Sequence, residues 1–300
     1  MSRRRFPLAF WIILLIGMII LSGCGSSAAS SNQPIVTTSI SPLADIIQQV
    51  GGDKIKVIHL VPVGGDPHEF EPRPEDVRNL AESNLFFANG VGEELYLEKL
   101  IANTGNQELR TVVLSDGLPI IGRDQSSVGN PHLWLDVENT MAYVNKIQAA
   151  LSAEFPQYQS YFEQNAARYL QELKNLDAWI QSQISSIPPS ERKIVVFHDA
   201  WAYYAKRYNL TLVEPLLHSG EAEPSAQDLA QMLQLIKEQK IRAIFSEAGF
   251  NPKQVKQLAV DAGIKLTENL YDDTLGATPE TDTYLGMMRA NTIKIVEALR

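Results

Sequence analysis

QYQSYFEQNAARYLQELKNLDAWIQSQISSI, residues 157–187, is the stretch on which the fold turns. Tyr158, Tyr161, Phe162, Tyr169, Leu170, Leu173, Leu176, Ile180, Ile184 and Ile187 recur at spacings of three and four, the period of one helix face. Phe155-Pro156 breaks the chain before it, Ile187-Pro188-Pro189 stops it, and no Gly or Pro lies between. At about 1.5 Å per residue such a helix spans roughly 45 Å, farther than one lobe. A core helix would also carry the pattern. Strand–helix alternation on both sides makes a rigid connector the better reading.

On the N-terminal side, Ile35–Thr38 reads as a strand, and Ser41-Pro42 as an N-cap followed by Pro at the first helical position. Gly51-Gly52 ends that helix; Lys56–Val61 and Leu85–Ala88 read as strands, Glu75–Ser83 and Val137–Glu154 as helices. On the C-terminal side, strands are expected at Lys193–Phe197, Thr211–Val213, Arg242–Ser246 and Lys265–Glu268. They alternate with helices at Ala200–Tyr208, Ala226–Glu238, Pro252–Ala262 and Thr283–Leu299. The expected fold is therefore α/β. Two (βα)-type lobes with mainly parallel sheets, 34–156 and 188–300, are joined by the 157–187 helix.

The 300 residues are 45% apolar and 20% charged, a globular composition. A net charge of −9 without any long basic run argues against nucleic acid as a partner. Residues 1–23 read as a targeting segment. Arg3, Arg4 and Arg5 precede an apolar run, Leu8 to Leu21, that is interrupted only by Gly17. That run is shorter than the about 20 residues a membrane span needs. Leu21-Ser22-Gly23-Cys24 resembles the lipobox read by the lipoprotein signal peptidase, with the Cys24 thiol as the group that takes the lipid. Ser2-Arg3-Arg4-Arg5-Phe6 also resembles a twin-arginine signal, though so apolar a core suits the Sec route better. Cys24 is the only cysteine, so a lipidated chain has no disulfide and no thiolate metal site. Residues 24–33 form a small, polar, flexible tether. A monomeric body hanging from the outer face of a membrane is expected.

Five histidines are present. His68 lies in Gly64-Gly65-Asp66-Pro67-His68-Glu69-Phe70-Glu71-Pro72, past a predicted strand. His132 lies in Asn130-Pro131-His132-Leu133-Trp134-Leu135-Asp136 before a helix, and His198 in Phe197-His198-Asp199-Ala200-Trp201 at a strand end. These are loops in which α/β sheets place ligands. Pro67 and Pro131 stiffen the backbone before their histidines, as a preformed metal site requires. Spacing leaves the matter open: no local zinc motif fits, and Pro72 blocks the helix that His68-Glu69 would need for HExxH. Hydrogen-bonded structural histidines remain an alternative at this point.

The chain resembles the cluster A-I solute-binding lipoproteins of zinc and manganese ABC transporters, the ZnuA and TroA group. Gly65 to Pro72, Pro131 to Asp136 and Phe197 to Tyr204 are similar to that family's first three ligand loops. Tyr271-Asp272-Asp273-Thr274-Leu275-Gly276 is similar to the segment bearing its acidic fourth ligand. The resemblance implies His68, His132, His198 and Asp273 as metal ligands, held in the cleft between the lobes, with Asp272 as the alternative to Asp273. It also implies Zn²⁺ as the transported ligand, Mn²⁺ as the alternative, and an ABC permease with its ATPase as partners. Three imidazoles and a carboxylate suit zinc, and manganese-selective members commonly offer a carboxylate where this chain has His198. The His-rich loop that many zinc members carry is missing, since Gly117 to Asn130 contains no histidine. Glu69, Asp136, Asp199 and Glu247 are candidates for orienting the imidazoles, with capping a helix or facing water as the alternative for each. His59 and His218 match no ligand position; Trp201, Tyr203 and Tyr204 read as core.

Three other functions compete with this reading. A zinc hydrolase needs an open coordination position and a base such as Glu69, whereas four protein ligands close the site. A binder of metal chelates, such as a siderophore or cobalamin, would use aromatic and arginine contacts rather than loop histidines. An adhesin would show repeats, and none are visible. Because each histidine must be neutral to bind metal, affinity is expected to fall below roughly pH 6.

Overall fold

Short runs of β-branched and aromatic residues build two four-stranded parallel sheets. In the first, β1 (Ile35–Thr38), β2 (Lys56–His59), β3 (Leu85–Ala88) and β4 (Arg110–Val113) lie in the order β2-β1-β3-β4. In the second, β5 (Lys193–Val196), β6 (Thr211–Leu212), β7 (Ala243–Glu247) and β8 (Lys265–Leu270) lie in the equivalent order β6-β5-β7-β8. Such sheets place ligands outside the strand C-termini, where the strand order reverses, here after β1 and β3 and after β5 and β7. The molecule is a computed structural model that describes residues 33–124, 127–213 and 224–300. The leader, Cys24, nearly all of the tether and His218 lie outside the described residues.

Alternating side chains explain the layering. Leu85 and Phe87 enter a central core while Phe86 and Ala88 face an outer cluster with Leu80 and Leu100. In the second sheet Ile194, Val196, Ala243 and Phe245 enter the same central core, and Val195 and Ile244 face a second outer cluster with Met232 and Ile236. Both sheets are thus covered on two faces, as parallel sheets require. Helices α2 (Pro74–Ala81) and α3 (Leu97–Ala102) cover the outside of the first sheet; α7 (Ala226–Gln239) and α8 (Lys253–Ala262) cover the outside of the second. The central core belongs to α1 (Ser41–Gly51), α4 (Val137–Glu154), α5 (Gln159–Ser185), α6 (Ala202–Tyr208) and α9 (Tyr284–Leu299).

The long helix α5 has 27 residues, about 40 Å of rise. Its start shifts from the expected position because Pro156–Tyr158 forms a separate 3-10 turn. Phe162, Ala166, Tyr169, Leu173, Leu176, Ile180 and Ile184 are buried along its whole length, against α1 and α4 at one end and α9 at the other. It is core helix and connector together: the sheets share its buried face, and Pro34–Arg300 is one compact unit. Truncating one of its central residues, Leu173→Ala, would cost about 2–5 kcal/mol.

Two expectations need correction. Ser41 is the first helical residue of α1 and not its cap; Ile40 takes the extended cap conformation with no side-chain acceptor. The Ser41 hydroxyl instead accepts from the Leu275 amide at 2.9 Å, which ties α1 to the loop after β8. Helix α3 and strand β4 were not anticipated; both lie on the edge side of the first sheet, where a short run offers little periodicity.

Candidate metal centre

Four loops at strand C-termini converge. His68 sits between β2 and α2, where the Asp66 carboxylate accepts from the His68 amide at 2.8 Å and the Gly64 amide donates to Thr274 Oγ1 at 2.8 Å. His132 precedes the 3-10 turn Leu133–Leu135 that leads into α4. Its loop folds back through the Asn130 amide to the Ile121 carbonyl at 2.8 Å. Gly129, at φ 95, allows this approach, because a Cβ there would meet Ile120 Cγ2 at 2.4 Å and the Ile121 oxygen at 2.8 Å. His198 follows β5 directly, and Asp273 follows β8.

One potential donor atom from each of His68, His132, His198 and Asp273 lies within 4.8 Å of the other three. His132 Nε2 is 3.3 Å from Asp273 Oδ1, and His68 Nε2 is 3.7 Å from Asp273 Oδ2. The imidazole centroids stand 4.8–5.6 Å apart, edge to face. His68 Nε2, His132 Nε2 and both Asp273 carboxylate oxygens are buried without a hydrogen-bond partner. Unpaired buried polar atoms are costly. Four in one spot, nitrogens facing a carboxylate, form a donor set that a divalent cation satisfies at once.

The groups that orient the rings differ from those expected. His132 Nδ1 lies 2.9 Å from Asn130 Oδ1, a contact that places the ring proton on Nδ1 and leaves the Nε2 lone pair facing Asp273. Asn130 is itself fixed: its Nδ2 donates to the Asp199 carbonyl at 2.7 Å and its carbonyl accepts from the Tyr203 hydroxyl at 2.8 Å. Tyr203, read as core, is thus a buttress of this loop. His198 Nδ1 lies 3.1 Å from Asp272 Oδ2. Asp272, weighed as an alternative ligand, is engaged by that ring, by the Asp273 amide at 2.9 Å and, through its carbonyl, by Trp134 Nε1 at 2.8 Å. Glu69 is exposed. Asp136 caps α4 by accepting from Glu138 N and pairs with Arg207. Asp199 reaches the site through its backbone carbonyl, which accepts from Asn130 Nδ2. Glu247 is buried near His198 but makes no hydrogen bond to a ring. His59 donates to or accepts from nothing in the site; its Nδ1 contacts the Val61 carbonyl at 2.7 Å.

The electrostatics are those of a site awaiting positive charge. Burial pushes the His68 imidazolium down, partly offset by Asp273, and pushes His132 well down, reinforced by His198. Burial would depress His198 too, but its hydrogen bond to Asp272 and the charges of Asp273, Asp272 and Glu247 outweigh it and raise it to about 9. Burial raises the carboxyls of Asp272 and Asp273 against the pull of His198. With Glu93 and Glu247 these make four buried acids, and among the described residues none pairs with Lys or Arg. The His198–Asp272 pair therefore retains a proton at neutral pH.

The profile of the family described as ZnuA, zinc-uptake complex component A, periplasmic, matches residues 36–298. The metal ABC transporter substrate-binding lipoprotein FimA of Streptococcus parasanguinis is 32% identical over 100% of this chain and 99% of its own length. The manganese-binding lipoprotein MntA of Halalkalibacterium halodurans is 29% identical over 97% of this chain and 98% of its own. Among solved structures, one of ZnuA matches with a TM-score of 0.80 at 30% identity, covering 90% of this chain and 100% of that one. A Mn-bound periplasmic metal binding protein of Candidatus Liberibacter asiaticus matches with a TM-score of 0.80 at 26% identity, over 89% and 100%. Fold, family profile and full-length relatives agree: this chain belongs to the ZnuA family of substrate-binding components of metal ABC transporters.

Proposed function

We propose that this chain captures a divalent transition-metal ion outside the membrane, holds it through His68, His132, His198 and Asp273, and delivers it to the permease of an ABC importer driven by its ATPase. The lipid on Cys24 tethers it to the outer face of the membrane. One observation carries the reading: the unpartnered His68 and His132 nitrogens and both Asp273 oxygens meet at the ends of the two sheets, with His198 beside them. The ion is the cargo, and the protein's task is to hold it tightly and yield it to the permease. Four protein donors leave no open coordination position for a hydrolytic water, which separates this reading from a zinc hydrolase.

Zinc is the cargo that three imidazoles and one carboxylate suit. Manganese is the second reading, because relatives such as MntA of H. halodurans carry manganese in their names. Calorimetry with zinc, then manganese, then each in competition with the other tests both. One ion per chain, weakened about a hundredfold or more by His132→Ala and untouched by His59→Ala, is the expected result. Absence of stoichiometric binding by either metal would overturn the function.

A further inference from the structure

A cavity of about 490 Å³ opens beside the metal centre. His68 forms part of its inner wall, together with Glu93 and Tyr96. Leu95 and Val128, 86% and 61% exposed, stand at its mouth. The loop that carries Glu93 follows β3, at the point where the strand order of the first sheet reverses.

Glu93 and its neighbour Glu94 differ sharply. Glu94 is buried and satisfied: it accepts from Ser39 Oγ at 2.7 Å, from the Asn89 amide at 2.8 Å and from the Gly90 amide at 3.0 Å. Glu93 is 2% exposed, and neither of its carboxylate oxygens has a partner. The Tyr96 hydroxyl and His68 Nε2, on the same cavity wall, are also buried without partners. Burial holds the Glu93 carboxyl well above the ordinary carboxylate range, and the like charges of Asp273, Glu94, Asp66 and Asp272 reinforce it, a strain that a cation beside it would relieve.

We propose that this cavity is the route by which the metal ion enters and leaves the centre, and that Glu93 is the carboxylate that takes hold of the ion on the way, handing it to His68. The proposal rests on the metal-capture reading above. Glu93 serves the passage rather than the seat: once an ion is bound, Asp272 and Asp273 already match its two charges. An unpaired carboxyl on the wall it shares with His68 supplies the oxygen donor that a partly dehydrated cation needs, and the approaching cation draws out its negative charge. A stepping stone lowers the same barrier in both directions, so it speeds capture and release alike and leaves the equilibrium nearly unchanged. Val128 stands close to Gly92 on the cavity lining: a Cβ on Gly92 would meet Val128 Cγ2 at 3.2 Å.

The experiment is stopped-flow measurement of zinc capture, and of zinc release into excess chelator, by the full chain in detergent. Wild type, Glu93→Gln, Val128→Trp and His59→Ala are compared. Glu93→Gln is expected to slow capture and release about tenfold each, with the dissociation constant changing less than about threefold. Val128→Trp slows both rates by obstructing the mouth, and His59→Ala slows neither. Apo melting temperature serves as the fold control; it should stay level or rise in Glu93→Gln, because an unpaired buried carboxyl gives way to a neutral amide of the same shape. Unchanged rates in Glu93→Gln would overturn the proposal. So would faster release with unchanged capture, which would make Glu93 a resident ligand. A wild type that binds no zinc or manganese would instead overturn the metal-capture reading itself.

Discussion

His132 and His68 share one site and are held in opposite ways. His132 is fully buried, its Nδ1 against Asn130 Oδ1, in a loop locked by Tyr203 and the Asp199 carbonyl. His198 resembles it, with Asp272 on Nδ1. His68 makes no ring hydrogen bond among the described residues; its side chain is 11% exposed and it borders the cavity. On the proposed reading the difference separates a seat with oriented rings, His132 and His198 with Asp273, from an edge at His68. A carrier that must bind tightly and still release needs both, since rigidity sets affinity and one loosely held ligand opens a way out.

Deleting a ligand of the seat gives the largest effect. His132→Ala, His198→Ala and Asp273→Ala should each weaken zinc binding by about a hundredfold to a thousandfold, roughly a quarter of the binding free energy of a four-donor site. The thermal stabilisation by metal, about 4 kcal/mol at a thousandfold excess over the dissociation constant, should largely disappear. Competition calorimetry and melting curves read both. If His68→Ala costs more than His132→Ala, the division between seat and edge is wrong.

Removing an orienting group comes next. Asp272→Asn and Asn130→Ala should weaken binding by about 10- to 100-fold, whereas Glu69→Gln and His59→Ala change it by less than about twofold. An Asp272→Asn loss as large as that of Asp273→Ala would make Asp272 a ligand, contrary to its engagement by His198.

The pH dependence sharpens the expectation of a fall below roughly pH 6. His68 and His132 are held neutral by burial and compete little with the metal at neutral pH. His198 is raised to about 9 by Asp272 and its acidic neighbours despite its burial, so the metal-free protein carries that proton at neutral pH. The sign follows: a proton that must leave makes affinity rise with pH up to about 9 and fall about tenfold per unit below it. Calorimetry in buffers of different ionisation enthalpy should count about one proton released per ion at pH 7.5, and close to none at that pH in Asp272→Asn. Three protons released would mean that all three imidazoles start charged.

The smallest expected effect is on shape. Leu275 N to Ser41 Oγ, Gly64 N to Thr274 Oγ1 and Trp134 Nε1 to the Asp272 carbonyl already link the two sheets' loops around the site, and α5 is buried along its length. Scattering of metal-free and loaded protein should differ by less than about 1 Å in radius of gyration, as for loop or small lobe movement rather than hinge closure. A change of several ångströms would refute the rigid connection.

What could be read from residue order divides along physical lines. The α5 pattern was legible because a buried stripe on a long helix repeats many times, and the Pro-His loops because proline fixes the backbone locally. Asp272 and Asp273 are neighbours, so only the folded loop decides which carboxylate turns to His198. Asn130 went unnoticed because an amide two residues before a histidine resembles any loop residue; Pro131 after it, shaping the turn, was the available signal. Asp136 and Glu69 were expected beside the rings for their sequence proximity, yet one caps α4 and the other faces water. Glu93 has no motif at all, because its environment is made by a strand crossover and a loop some forty residues away in sequence.

X-ray absorption at the zinc edge, on protein loaded with one equivalent, tests the central claim most directly. The account predicts a four-coordinate shell of nitrogen and oxygen donors at about 2.0–2.2 Å with the multiple-scattering signature of three imidazoles. That signature should fall to two imidazoles in His198→Ala and stay at three in His59→Ala. A wild-type spectrum with one imidazole or none, or one unchanged by His198→Ala, would contradict it.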